Sequence, residues 1–384
     1  TDHAERDARV LLRKITDANP SSRVVVTGCW ASRDPGAIGK MFPQVTLVGN
    51  DGKENIPALF GCSMGLGDGR DALGSFARHT RAFIKVQDGC NMRCAYCIVP
   101  VTRPAMSSRP PQAVVAEISG MIESGYREFV LCGVRLGRYW AREGEGKMGR
   151  GGDGGKETKW VDLLGLIERI AGLPGDFRIR LSSIEITDLT DRFLGGYART
   201  PKTVPDFHAP LQSGSDRVLV AMKRWYTTKF YSERLSAARR ALGDDVAIYT
   251  DFLAGFPTET ERDFEDSLNF VGAMGLAGLH IFRFSSRTGT PAAAMAPVYR
   301  PKELRERMER ALALDAKLRR AFARRFVGRT LTVLFEEAYR DRNYYRARAE
   351  NFLEVLVPAA AKEHDWRAVE AGAVDPYPHL ARAG

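Results

Sequence analysis

The sequence predicts an α/β fold: a partial (β/α)6 barrel, preceded by an incomplete α/β domain and followed by a small all-β module. Two features of the hydrophobic pattern support this prediction. Short β-branched or apolar runs alternate with helical segments between residues 76 and 300, and the pattern changes to period two after residue 330. The predicted domains of this 384-residue chain are 1–65, 76–300, a basic linker helix at 301–329, and 330–384.

The composition excludes several classes of protein. Apolar residues make up 44% of the chain and charged residues 27%, which is typical of a globular protein and not of a disordered one. No stretch approaches the ~18 apolar residues that a membrane span needs. A net charge of +10 permits a polyanionic partner such as nucleic acid. Six cysteines are too few for a disulfide scaffold, and three lie close together, which indicates a metal site in a reducing compartment.

The first domain is predicted to alternate helix and strand, which favours a parallel sheet. The predicted elements are a helix over 4–18, a strand over 23–27, a helix over 35–41 and a strand over 45–48. The first of these strands ends at Gly28 and Cys29. A Gly-rich polar segment at 63–75 then predicts a linker to the barrel.

The barrel is predicted from six strand-then-helix units, whose active sites lie at the carboxyl ends of the strands. The predicted strands are 82–86, 128–132, 177–181, 207–210, 246–253 and 278–284. The predicted helices are 112–123, 161–171, 189–197, 216–222, 229–242 and 261–274. Residues 141–156, between the second strand and its helix, hold seven glycines and predict a mobile loop.

A long helix is predicted over 301–326, and it carries most of the excess positive charge of the chain. Residues 300–329 contain eleven Lys or Arg and four Asp or Glu. From Thr330 onward the apolar residues alternate, which predicts the β module. Residues 330–384 contain seven Lys or Arg and nine Asp or Glu, so this module has no net attraction for a polyanion.

The strongest chemical signal is a cysteine triad, Cys90, Cys94 and Cys97, in the loop after the first barrel strand. Structural zinc sites normally have four protein ligands, and no fourth Cys or His lies nearby, since His79 precedes the strand. A 4Fe–4S cluster held by three cysteines instead leaves one iron open to a small ligand. A three-cysteine zinc site, or chance clustering, is the alternative.

In its spacing, its place in the barrel and the aromatic Tyr96 before the third cysteine, the triad resembles that of the radical S-adenosylmethionine enzymes. Further segments resemble the methylthiotransferases of that superfamily. They are Arg103–Arg109, Leu131–Gly137, Arg178–Glu185, Pro210–Ser215 and Thr250–Pro257. Pro104 stands where that family usually has glycine. The resemblance covers essentially the whole chain and implies that the final β module is similar to the TRAM RNA-binding domain.

The resemblance also implies two 4Fe–4S clusters. Cys90, Cys94 and Cys97 would hold the catalytic cluster, which transfers an electron to S-adenosylmethionine. The resulting 5′-deoxyadenosyl radical would take the hydrogen from C2 of the target adenine. Cys29 would be one ligand of an auxiliary cluster whose other ligands lie upstream, since the chain begins at Thr1 without a Met. Residues 1–384 alone are therefore expected not to methylthiolate tRNA. A buried thiol is the alternative for Cys29, and Cys62 and Cys132 are interpreted as small apolar residues.

Four residues are predicted to contact S-adenosylmethionine, each with a plain structural alternative. Tyr96 would pack near its adenine, and Gly133 would permit its close approach. Glu185 and Gln212 would hydrogen-bond its ribose or amino group. The alternatives are ordinary loop packing for Tyr96, a plain turn glycine for Gly133, and a structural polar contact for each of Glu185 and Gln212. Asp251 is interpreted as orienting a neighbour, and His208 as a hydrogen-bonded core residue.

The predicted partners are tRNA and an electron donor such as flavodoxin or ferredoxin, with no membrane, in a monomeric cytoplasmic enzyme. Phosphates would bind the basic side chains at the end of the long helix and two on the β module: Lys317, Arg319, Arg320, Arg324, Arg325, Arg346 and Arg348. The alternative is a solvated helix face.

The family has three main substrates: threonylcarbamoyladenosine and isopentenyladenosine in tRNA, and a ribosomal protein aspartate. The segments Ser286–Ala292 and Phe335–Ala338 resemble the threonylcarbamoyladenosine type. A non-catalytic RNA-binding protein with a structural or lost cluster is the alternative from another class.

Overall fold

A computed structural model describes residues 2–61, 81–143, 159–339, 343–359, 366–374 and 380–383. The chain forms two compact units. The first, called here the loop unit, consists of Thr1–Asp68, Gly89–Met106 and Ser285–Ala294. The second, called here the barrel unit, consists of Gly69–Asp88, Ser107–Phe284 and Met295–Gly384. Among the described helices, none has the length and apolar character needed to cross a bilayer.

The loop unit contains short helices and a parallel strand pair. Its helices are α1 (Asp2–Ala18), α2 (Cys29–Arg33), α3 (Pro35–Met41), α4 (Ile56–Leu59) and α5 (Val99–Thr102), with 3-10 turns at Asn50–Asn55 and Pro291–Ala294. Its strands β1 (Val25–Thr27) and β2 (Thr46–Val48) pair in parallel, as the alternation predicted. Buried Leu12, Trp30, Ile38 and Phe42 form its core.

The barrel unit contains the six predicted strands, with boundaries that differ by a few residues. These six are β3 (Arg81–Asp88), β5 (Glu128–Gly133), β8 (Arg178–Leu181), β9 (Asp206–His208), β10 (Ala247–Ala254) and β11 (Gly278–Arg283); three short strands, β4 (Ser107–Ser108), β6 (Trp140–Arg142) and β7 (Trp160–Asp162), lie between them in the sequence. Strands β3, β5 and β8 pair in parallel, and so do β9, β10 and β11. A parallel bridge joins Ile179 of β8 to Thr203, in the segment that precedes β9. The result is the curled half-barrel that the six βα units predicted.

The helices of the barrel unit are α6 (Pro111–Glu123), α7 (Leu163–Ala171), α8 (Asp191–Arg199), α9 (Asp216–Ala221), α10 (Thr228–Leu242), α11 (Glu261–Ala273) and α12 (Pro301–Arg324). Several begin at a side-chain cap. The Asp162 carboxylate accepts from the backbone N–H of Gly165 at 2.9 Å, and Thr190, Thr227 and Thr260 cap α8, α10 and α11 in the same way.

Two sequence predictions in this region need correction. The second helix of the barrel begins at Leu163 and not at residue 161, because Trp160–Asp162 pairs with Trp140–Arg142 in a two-stranded antiparallel sheet. Residues 141 and 142 are therefore strand, although they were predicted to start a mobile loop. The rest of that loop from residue 144, the linker at 63–75, Cys62 and His79 lie outside the described residues.

The C-terminal module is all-β, as the period-two pattern predicted, and its strands form a closed barrel. Its strands are β12 (Thr330–Tyr339), β13 (Tyr344–Ala349), β14 (Glu354–Pro358), β15 (Trp366–Val374) and β16 (Leu380–Ala383). Helix α12 is more than a linker. It buries Leu304, Ala311 and Leu318 in the core of the half-barrel, and Phe322 in the core of the β module.

Buried ion pairs connect the amino-terminal ends of the half-barrel strands to the β module. Glu128 is completely buried and accepts hydrogen bonds from Arg178 and Arg180. Arg180 also pairs with Asp206 at 2.5 Å, and its guanidinium lies 4.8 Å from the ring centroid of Phe352. The backbone carbonyls of Arg348 and Ala349 accept from Arg178 and Arg180. These contacts close one end of the half-barrel with buried charged side chains that form ion pairs with one another.

Candidate functional site

The loop that carries the cysteine triad has a backbone shape that only glycine permits at its start. Gly89 has φ of +77°, and a Cβ there would lie 1.9 Å from the carbonyl oxygen of Ala105. The next residue, Cys90, donates its N–H to the carbonyl of Arg103 at 3.3 Å. Residues 89–106 therefore form a closed loop whose two ends touch, and Pro104 is accommodated in the returning end.

The three thiols of the triad are presented within this closed loop. Cys94 is buried, while Cys90 and Cys97 are half-buried. The backbone N–H of Met92 points at the Cys90 sulfur at 3.4 Å, and the N–H of Cys97 donates to the carbonyl of Cys94 at 3.1 Å. An N–H that points at a sulfur, as that of Met92 does, lowers the energy of a metal-bound thiolate. Tyr96, which precedes Cys97 in the sequence, is half-buried.

The segment Ser286–Ala292 lies against the same loop. The N–H of Ala292 donates to the carbonyl of Ala95 at 2.8 Å, between Cys94 and Tyr96. Arg287 is buried, and its guanidinium lies 3.6 Å from the Glu5 carboxylate. The segment that resembles the threonylcarbamoyladenosine type is thus part of the wall that supports the triad.

Cys29 lies beside the returning end of the cysteine loop. It is the first residue of α2, not the end of a strand, because the chain turns at Gly28 with φ of +104°. Asn50 connects the two parts, since its side-chain amide lies 3.8 Å from the Cys29 sulfur and 3.3 Å from the carbonyl of Thr102. Burial raises the pKa of the Cys29 thiol, but hydrogen bonds from Thr102 and Asn50 and the charge of Arg103 outweigh it, so the pKa is lowered. The lowered pKa increases the fraction of thiolate, the form that binds iron.

Gly133 ends β5 at a position with no room for a side chain. A Cβ there would lie 3.0 Å from the side chain of Gln87 and from Cα of Leu136. Close packing of these protein groups accounts for the glycine. Its neighbour Cys132 is half-buried, and burial raises the pKa of its thiol, which agrees with the apolar interpretation.

The other two predicted cofactor contacts have firm protein partners. Both carboxylate oxygens of Glu185 accept from Arg224, at 3.2 and 2.5 Å. Gln212 is buried, has φ of +75°, and donates from its side-chain amide to Asp251 at 3.3 Å. If Glu185 or Gln212 contacts S-adenosylmethionine, it does so with a side chain whose orientation is already fixed by these hydrogen bonds.

Three ligand-type side chains converge on the sheet formed by β9, β10 and β11, a feature that the sequence analysis missed. His208 Nε2 lies 2.9 Å and His280 Nδ1 lies 3.7 Å from the same oxygen, Oδ1 of Asp251. Burial opposes ionisation of Asp251, but the two histidines outweigh it and lower its pKa to about 2. As predicted, His208 is hydrogen-bonded and Asp251 holds a neighbour. The sequence does show one polar, ligand-type residue in each of these three strands. Only the register of the sheet, however, brings the three side chains close together.

The basic residues of α12 differ in how far their charges are already compensated. Arg319 is half-buried, pairs with Asp315 at 2.8 Å and donates to the carbonyl of Leu279. Arg325 pairs with Asp245 at 3.2 Å. The exposed residues Lys317, Arg320 and Arg324 make no ion pair within the part of the chain that the structure describes, and their spacing puts them on one face of the helix. These three are called here the basic face.

The two arginines of the β module are held by carboxylates. Arg348 is mostly buried and pairs with Glu336 at 3.1 Å and Glu354 at 2.9 Å. Arg346 pairs with Glu337 at 3.1 Å and with Glu354 at 3.3 Å. Neither charge is as available to a phosphate as those of the basic face.

Residues 84–271 match the Radical SAM superfamily. Members of this superfamily bind a 4Fe–4S cluster and S-adenosylmethionine, and the closed loop fits that cluster. It offers three thiols and no fourth ligand, and a backbone N–H points at one of the sulfurs. Cys90, Cys94 and Cys97 would hold the cluster, which supplies the electron that cleaves S-adenosylmethionine.

A structural comparison agrees with this fold. The radical S-adenosylmethionine methyltransferase TsrM from Kitasatospora setae, solved with tryptophan and a cofactor analogue, superposes with a TM-score of 0.54. The match covers 75% of this chain and 60% of that one, at 14% identity, so it supports the fold alone.

Curated relatives define the family within the superfamily. The threonylcarbamoyladenosine tRNA methylthiotransferase MtaB of Bacillus subtilis is 31% identical over 93% of this chain and 79% of its own length. The enzyme of the same name from Thermotoga maritima is 33% identical over 88% and 76%. The tRNA-2-methylthio-N(6)-dimethylallyladenosine synthase of Cereibacter sphaeroides is 35% identical over 86% and 74%. The chain therefore belongs to the radical S-adenosylmethionine methylthiotransferase family and is a transferase.

Proposed function

We propose that the natural full-length protein adds a methylthio group to C2 of N6-threonylcarbamoyladenosine next to the anticodon of tRNA. The observation that carries this proposal is the identity to two threonylcarbamoyladenosine enzymes over 79% and 76% of their lengths. The segment Ser286–Ala292, which resembles that type, supports it because it is bonded to the cysteine loop at Ala95.

The loop unit provides the residues for two iron–sulfur sites in this proposal. The closed loop holds the catalytic cluster through the triad, and Cys29 is a ligand of a second, auxiliary cluster. Asn50 and Thr102 support the second assignment, because they place the Cys29 sulfur next to the returning end of the triad loop and favour its thiolate. The electron would come from a small carrier such as flavodoxin or ferredoxin, to a monomeric enzyme in the cytoplasm.

The barrel unit provides the surface for tRNA. The basic face is the proposed phosphate site, and the ion pairs of Arg319 and Arg325 make them secondary contributors. Two exposed rings add a different kind of contact. Trp140 and Trp160 stack with centroids 5.8 Å apart, and they are 56% and 50% exposed. Such an aromatic pair suits stacking on an unpaired base of an RNA loop.

A second candidate substrate is dimethylallyladenosine, the isopentenyl-modified base, in tRNA. It is favoured by 35% identity to the Cereibacter sphaeroides enzyme over 74% of that protein. The two candidates share the same reacting carbon, so they differ only in which group on the adenine nitrogen the site accepts.

The test is an in vitro reaction of the natural full-length protein, loaded with iron and sulfide without oxygen. One tRNA carries threonylcarbamoyladenosine and another carries dimethylallyladenosine, and digested nucleosides are measured by mass spectrometry. We expect a methylthio product from the first tRNA and at least tenfold less from the second. The reverse preference would make the second candidate the function. No methylthio product from either tRNA, with 5′-deoxyadenosine still formed, would overturn both.

A further inference from the structure

We propose that His208, Asp251 and His280 bind a divalent transition-metal ion, separate from the iron–sulfur sites. The three side chains come from adjacent parallel strands. Tyr249 pairs with His208 and Asp251 pairs with His280, so period-two alternation puts all three on one face of the sheet. This site lies in the barrel unit and shares no residue with the cysteine loop.

The ligand atoms have the mutual distances of a metal site. His208 Nε2, Asp251 Oδ1 and His280 Nδ1 all lie within 4.8 Å of one another. Two ligands bound to one ion at ~2.1 Å are ~3.0–3.4 Å apart in octahedral or tetrahedral geometry. The observed distances to Asp251 Oδ1, 2.9 and 3.7 Å, lie on either side of that value. A 3.7 Å separation is too long for a hydrogen bond, so a shared proton does not explain the position of His280.

The parts of the three side chains that would not bind the ion contact neighbouring protein groups, as they do in established metal sites. His208 Nδ1 lies 2.5 Å from the Ser183 hydroxyl, so Nδ1 can donate its proton to that oxygen when Nε2 binds the ion. The second oxygen of Asp251 accepts from Gln212 at 3.3 Å. The His280 ring stacks against Tyr249 at 6.2 Å. Each proposed ligand therefore has its orientation fixed from outside.

The donor set indicates the class of ion. Two imidazoles and one carboxylate suit Zn²⁺ or Fe²⁺, whereas Mg²⁺ and Ca²⁺ prefer oxygen ligands alone. Three protein ligands leave coordination positions for water or for an oxygen-bearing ligand. The His280 side chain is 47% exposed, so an ion can reach the site from solvent.

Metal binding is measured on the full chain with Cys29, Cys90, Cys94 and Cys97 replaced by Ser, which removes the proposed ligands of the iron–sulfur clusters. Zn²⁺ is titrated by calorimetry, and Co²⁺ serves as a spectroscopic probe of the ligand set. We expect one equivalent to bind. This experiment uses no tRNA and no cluster, so its outcome is independent of the proposed function.

The variants His280→Ala and Asp251→Asn should each weaken Zn²⁺ binding by at least tenfold, and Ser183→Ala by about ten- to hundredfold. Asp266→Asn, the same chemical change on an exposed residue of α11, should leave binding unchanged. His280→Ala is the decisive variant, because its exposed side chain can be removed without opening the core. Absence of a stoichiometric site, or binding that survives both His280→Ala and Asp251→Asn, would overturn the proposal.

Discussion

Replacing Glu128 with Gln tests the ionic network that closes the half-barrel. Glu128 is 0% exposed, and its carboxylate accepts from Arg178 and Arg180. Arg81 approaches it at 3.8 Å. Gln has nearly the same shape but no charge, so the variant leaves buried guanidinium groups without their common counter-charge.

The expected loss of stability follows from the pKa of Glu128. Burial alone would raise this pKa, but Arg180 and Arg178 outweigh burial and lower it from 4.5 to about 2. One pKa unit corresponds to about 1.4 kcal/mol, so the charged form contributes about 3 kcal/mol to the free energy of unfolding. Loss of one partner of a buried ion pair costs a similar amount, about 3–5 kcal/mol. Because the pKa in the folded state is lowered, this stabilisation is present above pH 4.5 and is lost as the pH falls toward 2.

The assay is urea unfolding at neutral pH, followed by circular dichroism. Glu123→Gln is the matched control, because it makes the same change at an exposed position near the end of α6. We expect Glu128→Gln to lose about 3 kcal/mol and Glu123→Gln to lose less than about 0.5 kcal/mol. Equal stability of the two variants would refute the idea that Glu128 neutralises this network.

Further predictions concern the iron sites and the RNA surface. Replacing the cysteine triad by Ala in the full-length protein should leave about four of about eight irons; unchanged iron with continued S-adenosylmethionine cleavage would contradict the assignment. Gly89→Ala should reduce iron loading, whereas Gly61→Ala, with φ of +72° but open space around it, should not; equal loading would remove the steric argument. Replacing the basic face by Ala should lower the salt slope of tRNA binding by about two to three units, and an unchanged slope would return it to a solvated face. Changing Trp140 and Trp160 to Ala should weaken tRNA binding about tenfold at an unchanged salt slope, and undiminished affinity would exclude base stacking there.

The fold was predictable because β5, β8 and β10 are buried on both faces, so their apolar runs stand out against amphipathic helices. The predicted strand 246–253 differs from Ala247–Ala254 by one residue at each end. The start of α7 was not predictable from periodicity, because Val161 is apolar but belongs to a strand that pairs with Ala141. The partner strand lies on the other side of a long insert in the sequence, so the residues around Val161 do not indicate this pairing.

The candidate site likewise contains residues that the sequence could predict and residues that it could not. The triad was predictable because its three ligands lie in one loop, where spacing alone brings them together. The cluster of His208, Asp251 and His280 was not, because strand register between separate βα units determines which side chains meet. Arg319 shows the opposite error of sequence reasoning. It lies in a basic stretch, but the helical turn places it against Asp315 and buries part of its charge.

The proposed substrate is tested most directly by nucleoside analysis of tRNA from cells with and without the gene. We expect 2-methylthio-threonylcarbamoyladenosine to disappear when the gene is deleted and threonylcarbamoyladenosine without the methylthio group to accumulate. The natural gene should restore the product, and a gene with the triad changed to Ala should not. Unchanged 2-methylthio-threonylcarbamoyladenosine in the deletion strain, together with loss of the dimethylallyl product, would contradict the proposed substrate.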